Sequence, residues 1–217
     1  MSIQIRYTND NSATLYSDIF KECYHSTAGA VTESFHVFID AGLRALNRKK
    51  IKVFEAGFGT GLNAFLSFQE AKKRDLIIDY TAIELYPPEK PILEKLSQTY
   101  PFLSDISIFQ AMHQTDWNQD TKISESFSLT RILDNLLTAS IGEEYDLVYF
   151  DAFSPDAQPE LWTEEVFKKM FNAMSPGGLL TTYCAKGTVR RNMQKAGFVI
   201  ERLPGLPPKR EMLRAGR

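Results

Sequence analysis

The stretch Val53-Phe54-Glu55-Ala56-Gly57-Phe58-Gly59-Thr60-Gly61-Leu62-Asn63 does most to limit the folds open to this chain. Residues 51–54 read as a buried strand. The three glycines that follow permit positive φ and close backbone approach. Helical spacing of apolar residues then starts near Gly61, so the turn aims a helix N-terminus at whatever lies beyond the strand. A strand, a glycine turn and a helix in this order constitute the first half of a βαβ unit, which points to an α/β fold with a parallel sheet.

Gly57, Gly59 and Gly61 make G-x-G-x-G, whereas the dinucleotide fingerprint is G-x-G-x-x-G, with the last glycine one residue later. The shorter form resembles the first motif of S-adenosylmethionine-dependent methyltransferases. That resemblance puts Glu55, Gly57, Gly59, Gly61 and Asn63 at the cofactor, with Glu55 meeting the methionine ammonium directly or through water. A tight strand-to-helix turn that binds nothing has the same composition.

Further elements follow at βα spacing. Leu62, Phe65, Leu66 and Phe68 mark a helix to about Arg74, and residues 76–83 form a second strand ending at Glu84. An acid about thirty residues beyond the turn suits a ribose diol, or is simply an exposed strand end. Pro87 and Pro88 open the next helix, with Ile92, Leu93 and Leu96 on one face. In residues 100–121 the turn-formers Pro101, Ser104, Asp105, Asp116, Asn118 and Asp120 suggest loops with short helical or strand pieces. Residues 123–133 alternate with period two and read as one strand. It ends at Asp134-Asn135, where many methyltransferases hold the adenine amine with an acid. Asp134 is the candidate and Asp116 the fallback; the competing reading makes Asp134 the N-cap of a helix at Leu136-Leu137.

Residues 145–151 form a central strand ending in Asp151. In doubly wound sheets ligands lie beyond the carboxyl ends of the strands, so Asp151 faces the site. Thr163 caps a helix with Glu164 and Glu165 in its first turn, and Ser175-Pro176-Gly177-Gly178 ends it. Residues 179–183 are the next strand, and Lys186 to Lys195 a basic helix stopped by Gly197. Residues 198–203 are a sixth strand. A Pro-rich loop then leads to Arg210-Glu211-Met212-Leu213, read as an antiparallel seventh strand.

Composition narrows the function classes. At 217 residues, with 43% hydrophobic and 24% charged residues, the chain suits one soluble domain with a small N-terminal appendage. No apolar run approaches a membrane span, and the N-terminus has no signal-peptide pattern, so a cytoplasmic protein is expected. Cys23 and Cys184 are too far apart for a C-x-x-C. The three histidines, His25, His36 and His113, sit in no metal-ligand pattern, and no metal is expected. The net charge of −2 hides a basic C-terminal end: Lys186, Arg190, Arg191, Lys195, Arg202, Lys209, Arg210, Arg214 and Arg217 stand against Glu201 and Glu211. Such a patch neutralises phosphates if clustered, and is otherwise a solvated face.

Several motifs together resemble one family. They are Glu55-Ala-Gly-Phe-Gly-Thr-Gly-Leu-Asn63, Asp151-Ala-Phe-Ser-Pro155 with Pro159-Glu-Leu-Trp162, Ser175-Pro-Gly-Gly178, Lys186-Gly-Thr-Val-Arg-Arg191 and Pro208-Lys-Arg-Glu-Met-Leu213. With Glu33-Ser34-Phe-His-Val-Phe-Ile39 upstream, the chain is similar to the methyltransferases that complete 5-methylaminomethyl-2-thiouridine at the tRNA wobble position. The resemblance implies a Rossmann-like class I methyltransferase fold, a seven-stranded sheet with its last strand antiparallel. Residues 51–217 form this domain and residues 1–50 an N-terminal extension packed on it.

It also implies N-methylation, by S-adenosyl-L-methionine, of the primary amine of 5-aminomethyl(-2-thio)uridine at position 34, with the anticodon stem-loop of tRNA as partner. Asp151 is the catalytic candidate: its carboxylate hydrogen-bonds the amine and helps proton loss, working mainly by orientation because an ordinary aspartate is a weak base. Phe153 stacks on the flipped uracil or shapes its pocket, and Trp162 is read as structural. Lys186, Arg190, Arg191, Lys209 and Arg210 are the RNA-binding candidates. Many family members carry a flavin-dependent oxidoreductase domain; none is expected here, so a separate enzyme or the upstream pathway supplies the aminomethyl substrate.

Three other readings use the same residues. One is an S-adenosylmethionine-dependent N-methyltransferase of a small amine or another RNA base. Another is a polyamine synthase, whose diacidic motif the segment from Asp151 to Pro155 does not match. The last, a non-catalytic RNA-binding module, expects loss of Glu55, Glu84 or Asp151, and all three are present.

Overall fold

The computed structural model describes residues 3–100 and 105–217; Pro101 and Ser104, two of the expected turn-formers, lie outside the described residues. The N-terminal part holds a small antiparallel sheet of β1 (Ile3–Tyr7), β2 (Ala13–Ser17) and β3 (Glu22–Cys23), then α1 (Ala30–Ser34), which continues as a π-helical turn over Phe35–Asp40. Ala13, Leu15, Val37, Phe38 and Ile39 are buried here. Phe38 packs on Tyr149 of the main sheet with ring centroids 5.0 Å apart, which fastens this part to the core.

The main sheet and its helices run β4 (Lys50–Ala56), α2 (Leu62–Arg74), β5 (Ile77–Glu84), α3 (Lys90–Ser97), α4 (Ile106–Gln114), β6 (Asp120–Ser124), β7 (Phe127–Leu133), β8 (Tyr145–Phe150), α5 (Glu164–Ala173), β9 (Met174–Thr182), α6 (Gly187–Ala196), β10 (Val199–Pro204) and β11 (Glu211–Gly216). Its order is β10-β11-β9-β8-β4-β5-β7-β6. Strands β9, β8, β4, β5 and β7 are mutually parallel. Strand β11 is inserted antiparallel between β9 and β10, as the C-terminal segment predicts. The chain leaves β4 toward β5 on one side and returns to β8 on the other. The switch point between β4 and β8 therefore opens a crevice at the carboxyl ends of the strands. All six residues of β8 are buried, as a strand covered on both faces requires.

Three local readings change. Residues 123–133 are not one strand: β6 and β7 form an antiparallel hairpin, which adds an eighth strand at the sheet edge. The break falls at Glu125-Ser126, where the Ser126 N–H donates to Ser124 Oγ at 3.3 Å; serine side chains offer the backbone a turn in place of a ladder. The alternation does hold over β7, where Phe127, Leu129 and Arg131 are the buried set.

Residues 106–114, read only as broken pieces, form the full helix α4.

The segment Ser175-Pro176-Gly177-Gly178 lies inside β9 rather than before it. Partners shift there from Tyr145↔Met174 to Leu147↔Leu179, so the four residues bulge out of the ladder. Gly177 takes φ +73°, and a Cβ on Gly178 would meet carbonyl oxygens of Ser175 and Tyr145 at 2.9 and 3.1 Å. The same residues that end helices thus make a bulge, while α5 stops by itself at Ala173.

Candidate functional site

One cleft lies over the carboxyl ends of β4, β5, β7 and β8. It is lined by Gly57, Gly59, Glu84, Leu85, Tyr86, Asp134, Leu136, Leu137, Asp151, Ala152 and Phe153, and by Phe20 and Tyr24 from the N-terminal part. The glycine turn is held from below. The N–H groups of Gly57 and Phe58 both donate to Ile83 O at 3.1 Å, joining the end of β4 to that of β5. Gly57 has φ +94°, and a Cβ there would stand 2.7 Å from Asp151 O. Only glycine lets this turn approach the end of β8 so closely.

Glu84 ends β5 with both oxygens engaged. Oε2 accepts the Gly59 N–H at 2.9 Å and Oε1 the Tyr86 N–H at 2.8 Å. Burial raises its pKa and these backbone N–H groups oppose the rise. The carboxylate is fixed at the strand tip with lone pairs left for a further donor.

Asp134 is exposed and lines the cleft between Glu84 and the apolar Leu136 and Leu137. No helix follows it. Its Oδ1 accepts the next N–H, of Asn135, and Asn135 Oδ1 accepts from Leu137, so the turn is organised by Asn135. Asp116 does not line the cleft; it lies near Arg131, whose charge it supports.

Beyond β8, Asp151 opens onto the cleft, and its Oδ2 accepts from Asn63 Nδ2 at 2.8 Å. Burial pushes its pKa up from 3.8 to about 7, with the Asn63 hydrogen bond opposing. Such a carboxylate is a far better proton acceptor near neutrality than an ordinary aspartate.

Phe153 stacks on Phe20 with centroids 4.4 Å apart and planes at 23°, and Tyr24 meets it edge-on at 4.9 Å. The loop from Asp151 is braced from two sides. Trp162 Nε1 donates to Phe153 O at 2.8 Å, and Glu22 accepts both the Ser154 N–H (3.1 Å) and the Ser154 hydroxyl (2.5 Å).

A family model described as S-adenosyl-L-methionine-dependent methyltransferase matches residues 91–217. The chain belongs to that family. The curated tRNA 5-methylaminomethyl-2-thiouridine biosynthesis bifunctional protein MnmC of Leptospira borgpetersenii serovar Hardjo-bovis (strain JB197) is 30% identical over 217 residues. That alignment covers 94% of this chain and 33% of the relative, so the chain spans about a third of the length of the curated relatives it matches. Among solved structures, MnmC2 from Aquifex aeolicus superposes with a TM-score of 0.80 at 24% identity, over 99% of this chain and 70% of that one. Spermidine synthase from Thermotoga maritima superposes at 0.62 and 14% identity, over 99% of this chain and 68% of that one. These two likenesses establish the fold.

In this methyltransferase the cleft thus sets two strand-end acids, Glu84 and Asp134, with free acceptor lone pairs beside the glycine turn and the apolar Leu136 and Leu137. Gly61 and Asn63, expected at the cofactor, do not line the cleft, and Glu55, expected at its ammonium, is fully buried behind the turn and does not line it either. Its Oε1 accepts from Asn63 at 2.8 Å, and burial raises its pKa well above the usual carboxylate range.

The basic candidates divide into two groups. Lys186, Lys209 and Arg210 line a second hollow that shares Glu22 and Ser154 with the Asp151 loop. Arg190 and Arg191 sit on α6 outside it. Two of these cations already have acidic partners: Lys186 pairs with Asp156 and Lys209 with Glu33, each at 2.5 Å. Lys209 also lies 4.0 Å over the Tyr183 ring.

Phe20, Glu22, Tyr24 and Tyr86 were not singled out by the sequence, because nothing local to them signals a site. Among the described residues no cluster of three His, Cys, Asp or Glu side chains could hold a metal ion, and no helix is long and apolar enough to cross a membrane.

Proposed function

We propose that this methyltransferase transfers a methyl group from S-adenosyl-L-methionine to the primary amine of 5-aminomethyl(-2-thio)uridine at tRNA position 34, giving the 5-methylaminomethyl nucleoside. The observation that carries the reading is Asp151, a carboxylate with a pKa near 7 beside an aromatic wall, at the end of β8 in the cleft. The choice of substrate is supported by the curated relatives, which are named for biosynthesis of this nucleoside in tRNA. A tRNA substrate also places the reaction in the cytoplasm, and an upstream activity must install the aminomethyl group.

When bound, S-adenosylmethionine supplies a sulfonium methyl that is already activated. The chain's residues do the rest. Glu84 holds the ribose diol and Asp134 the adenine amine, with Gly57 and Gly59 giving the cofactor room. Asp151 accepts a hydrogen bond from the acceptor amine and takes its proton, which frees the lone pair to attack in line. An alkylamine has a pKa of about 10.4. Raising Asp151 from 3.8 to about 7 removes roughly 4 kcal/mol of the mismatch for that transfer. The aspartate therefore acts as a base as well as an orienting group.

Phe153 faces the uracil ring, and the hollow of Lys186, Lys209 and Arg210 takes neighbouring phosphates. Binding them requires Lys186 and Lys209 to exchange a carboxylate for a phosphate, so affinity falls steeply with salt. Arg190 and Arg191 add contacts farther along the RNA.

The test is incubation with labelled S-adenosylmethionine and tRNA carrying 5-aminomethyluridine, then digestion to nucleosides and mass spectrometry. Label in 5-methylaminomethyluridine is expected. Bound cofactor with no transfer, and label instead in a free amine or another base, would replace the proposed substrate.

A further inference from the structure

Resting on the role given above to Asp151, we infer that Asn63 is a positioning residue that clamps the Asp151 carboxylate in its amine-accepting orientation, with Glu55 as its buried anchor. The first turn of α2 directs Asn63 back under the glycine turn, where it is 3% exposed. Its single Nδ2 donates one hydrogen to Glu55 Oε1 and the other to Asp151 Oδ2, both at 2.8 Å. One oxygen of Asp151 is thereby tied down and the other is left for the substrate.

An amide is the side chain for this place. It offers two donors from one atom, and it carries no charge into a buried position. Glu55 sits behind it at 0% exposure, and neither its Oε2 nor Asn63 Oδ1 has a hydrogen-bond partner among the described residues. The nearby Asp151 charge adds to burial in raising the Glu55 pKa. Burial favours the neutral acid at Glu55, with the Tyr80 hydroxyl beside it. Asp151, nearer the cleft, remains the partner that titrates.

Besides Glu55, the other groups acting on Asp151 come from separate elements: Glu33 of α1, Tyr80 of β5, Lys209 from the loop before β11, and Tyr183 just after β9. Glu33 and Lys209 are paired with each other, so their opposite charges largely offset. Asn63 is then the one hydrogen-bond donor to the Asp151 carboxylate among the described residues. Without it the carboxylate loses both its orientation and a stabiliser of its charged form.

The test compares wild type with Asn63→Ala and Asn63→Leu, the latter close in shape, uncharged and without donors. Carboxyl resonances of protein carrying 13C-labelled aspartate are titrated, with Asp151 assigned from Asp151→Asn. The Asp151 pKa is expected to rise by about one unit in both Asn63 variants. The acidic limb of kcat should move up with it, while KM for S-adenosylmethionine changes less than about threefold.

An unmoved Asp151 titration in a folded Asn63→Leu protein would overturn the clamp, even if Asp151→Asn abolishes turnover and so leaves the reading of Asp151 standing. If Asp151→Asn keeps wild-type turnover at every pH, that reading fails first and the clamp goes with it.

Discussion

The two halves of the cleft are built differently. The cofactor half is backbone and strand tips: a glycine turn hydrogen-bonded to Ile83, with Glu84 fixed by the N–H groups of Gly59 and Tyr86. Asp134, Leu136 and Leu137 apart, its parts lie within about thirty residues of one another. The acceptor half is assembled by side chains from remote segments. Phe20 stacks on Phe153, Glu22 holds Ser154 across 132 residues of chain, and Asn63 reaches Asp151 across 88. On the roles proposed above, the difference teaches that the methyl donor is held by strand tips and the turns that follow them, whereas choice of acceptor depends on the N-terminal part docking onto the loop after β8.

Several substitutions sharpen or break that division. The largest effect is expected for Asp151→Asn, which keeps shape and loses the base. Single-turnover rates at pH 7.5 should drop by about 10² to 10³, with calorimetric affinity for S-adenosylmethionine nearly unchanged. Glu84→Ala should do the opposite, weakening cofactor binding by about 10- to 100-fold as charge-assisted hydrogen bonds are lost, with the methyl-transfer rate at saturating cofactor largely kept. Equal damage to both quantities by either variant would dissolve the division.

Glu22→Ala releases the latch on Ser154, and about a tenfold rise in KM for tRNA, with cofactor affinity intact, is the expected result. The smallest effect, when read at high salt where screening shrinks it, is that of reversing Lys209 and Arg210 to glutamate together. Its signature is the salt dependence, where the slope of log K against log salt should fall by about one to two. An unchanged slope would mean that these cations remain with their carboxylates and never meet phosphate.

The unequal construction also explains what the sequence disclosed. Apart from α4, the β6–β7 hairpin and the β9 bulge, the strands and helices from residue 50 onward follow from hydrophobic period, glycine stops and caps, and α2 ends at Arg74 as its pattern predicts. Gly57, Gly59, Glu84, Asp134, Asp151 and Phe153 come together at the strand ends because their placement follows from topology alone. Glu55 was placed correctly along the strand, but whether a strand-end side chain faces the cleft or the core depends on what packs above it. Here Asn63 does. The hairpin of β6 and β7 and the bulge in β9 escaped because serine turns and Pro-Gly-Gly runs carry more than one local meaning. Phe20, Glu22 and Tyr24 act only through tertiary contacts, which no periodicity records.

The central claim is that Asp151 takes the proton of the acceptor amine, and the pH dependence of single-turnover methyl transfer tests it most directly. With the carboxylate required in its charged form and a pKa near 7, the wild-type rate should fall about tenfold per unit below that pH and level off above it. Asp151→Asn, left to rely on the small fraction of free amine, should keep climbing through pH 9. A wild-type rate that also climbs unbroken through pH 9, parallel to that of the variant, would contradict the account.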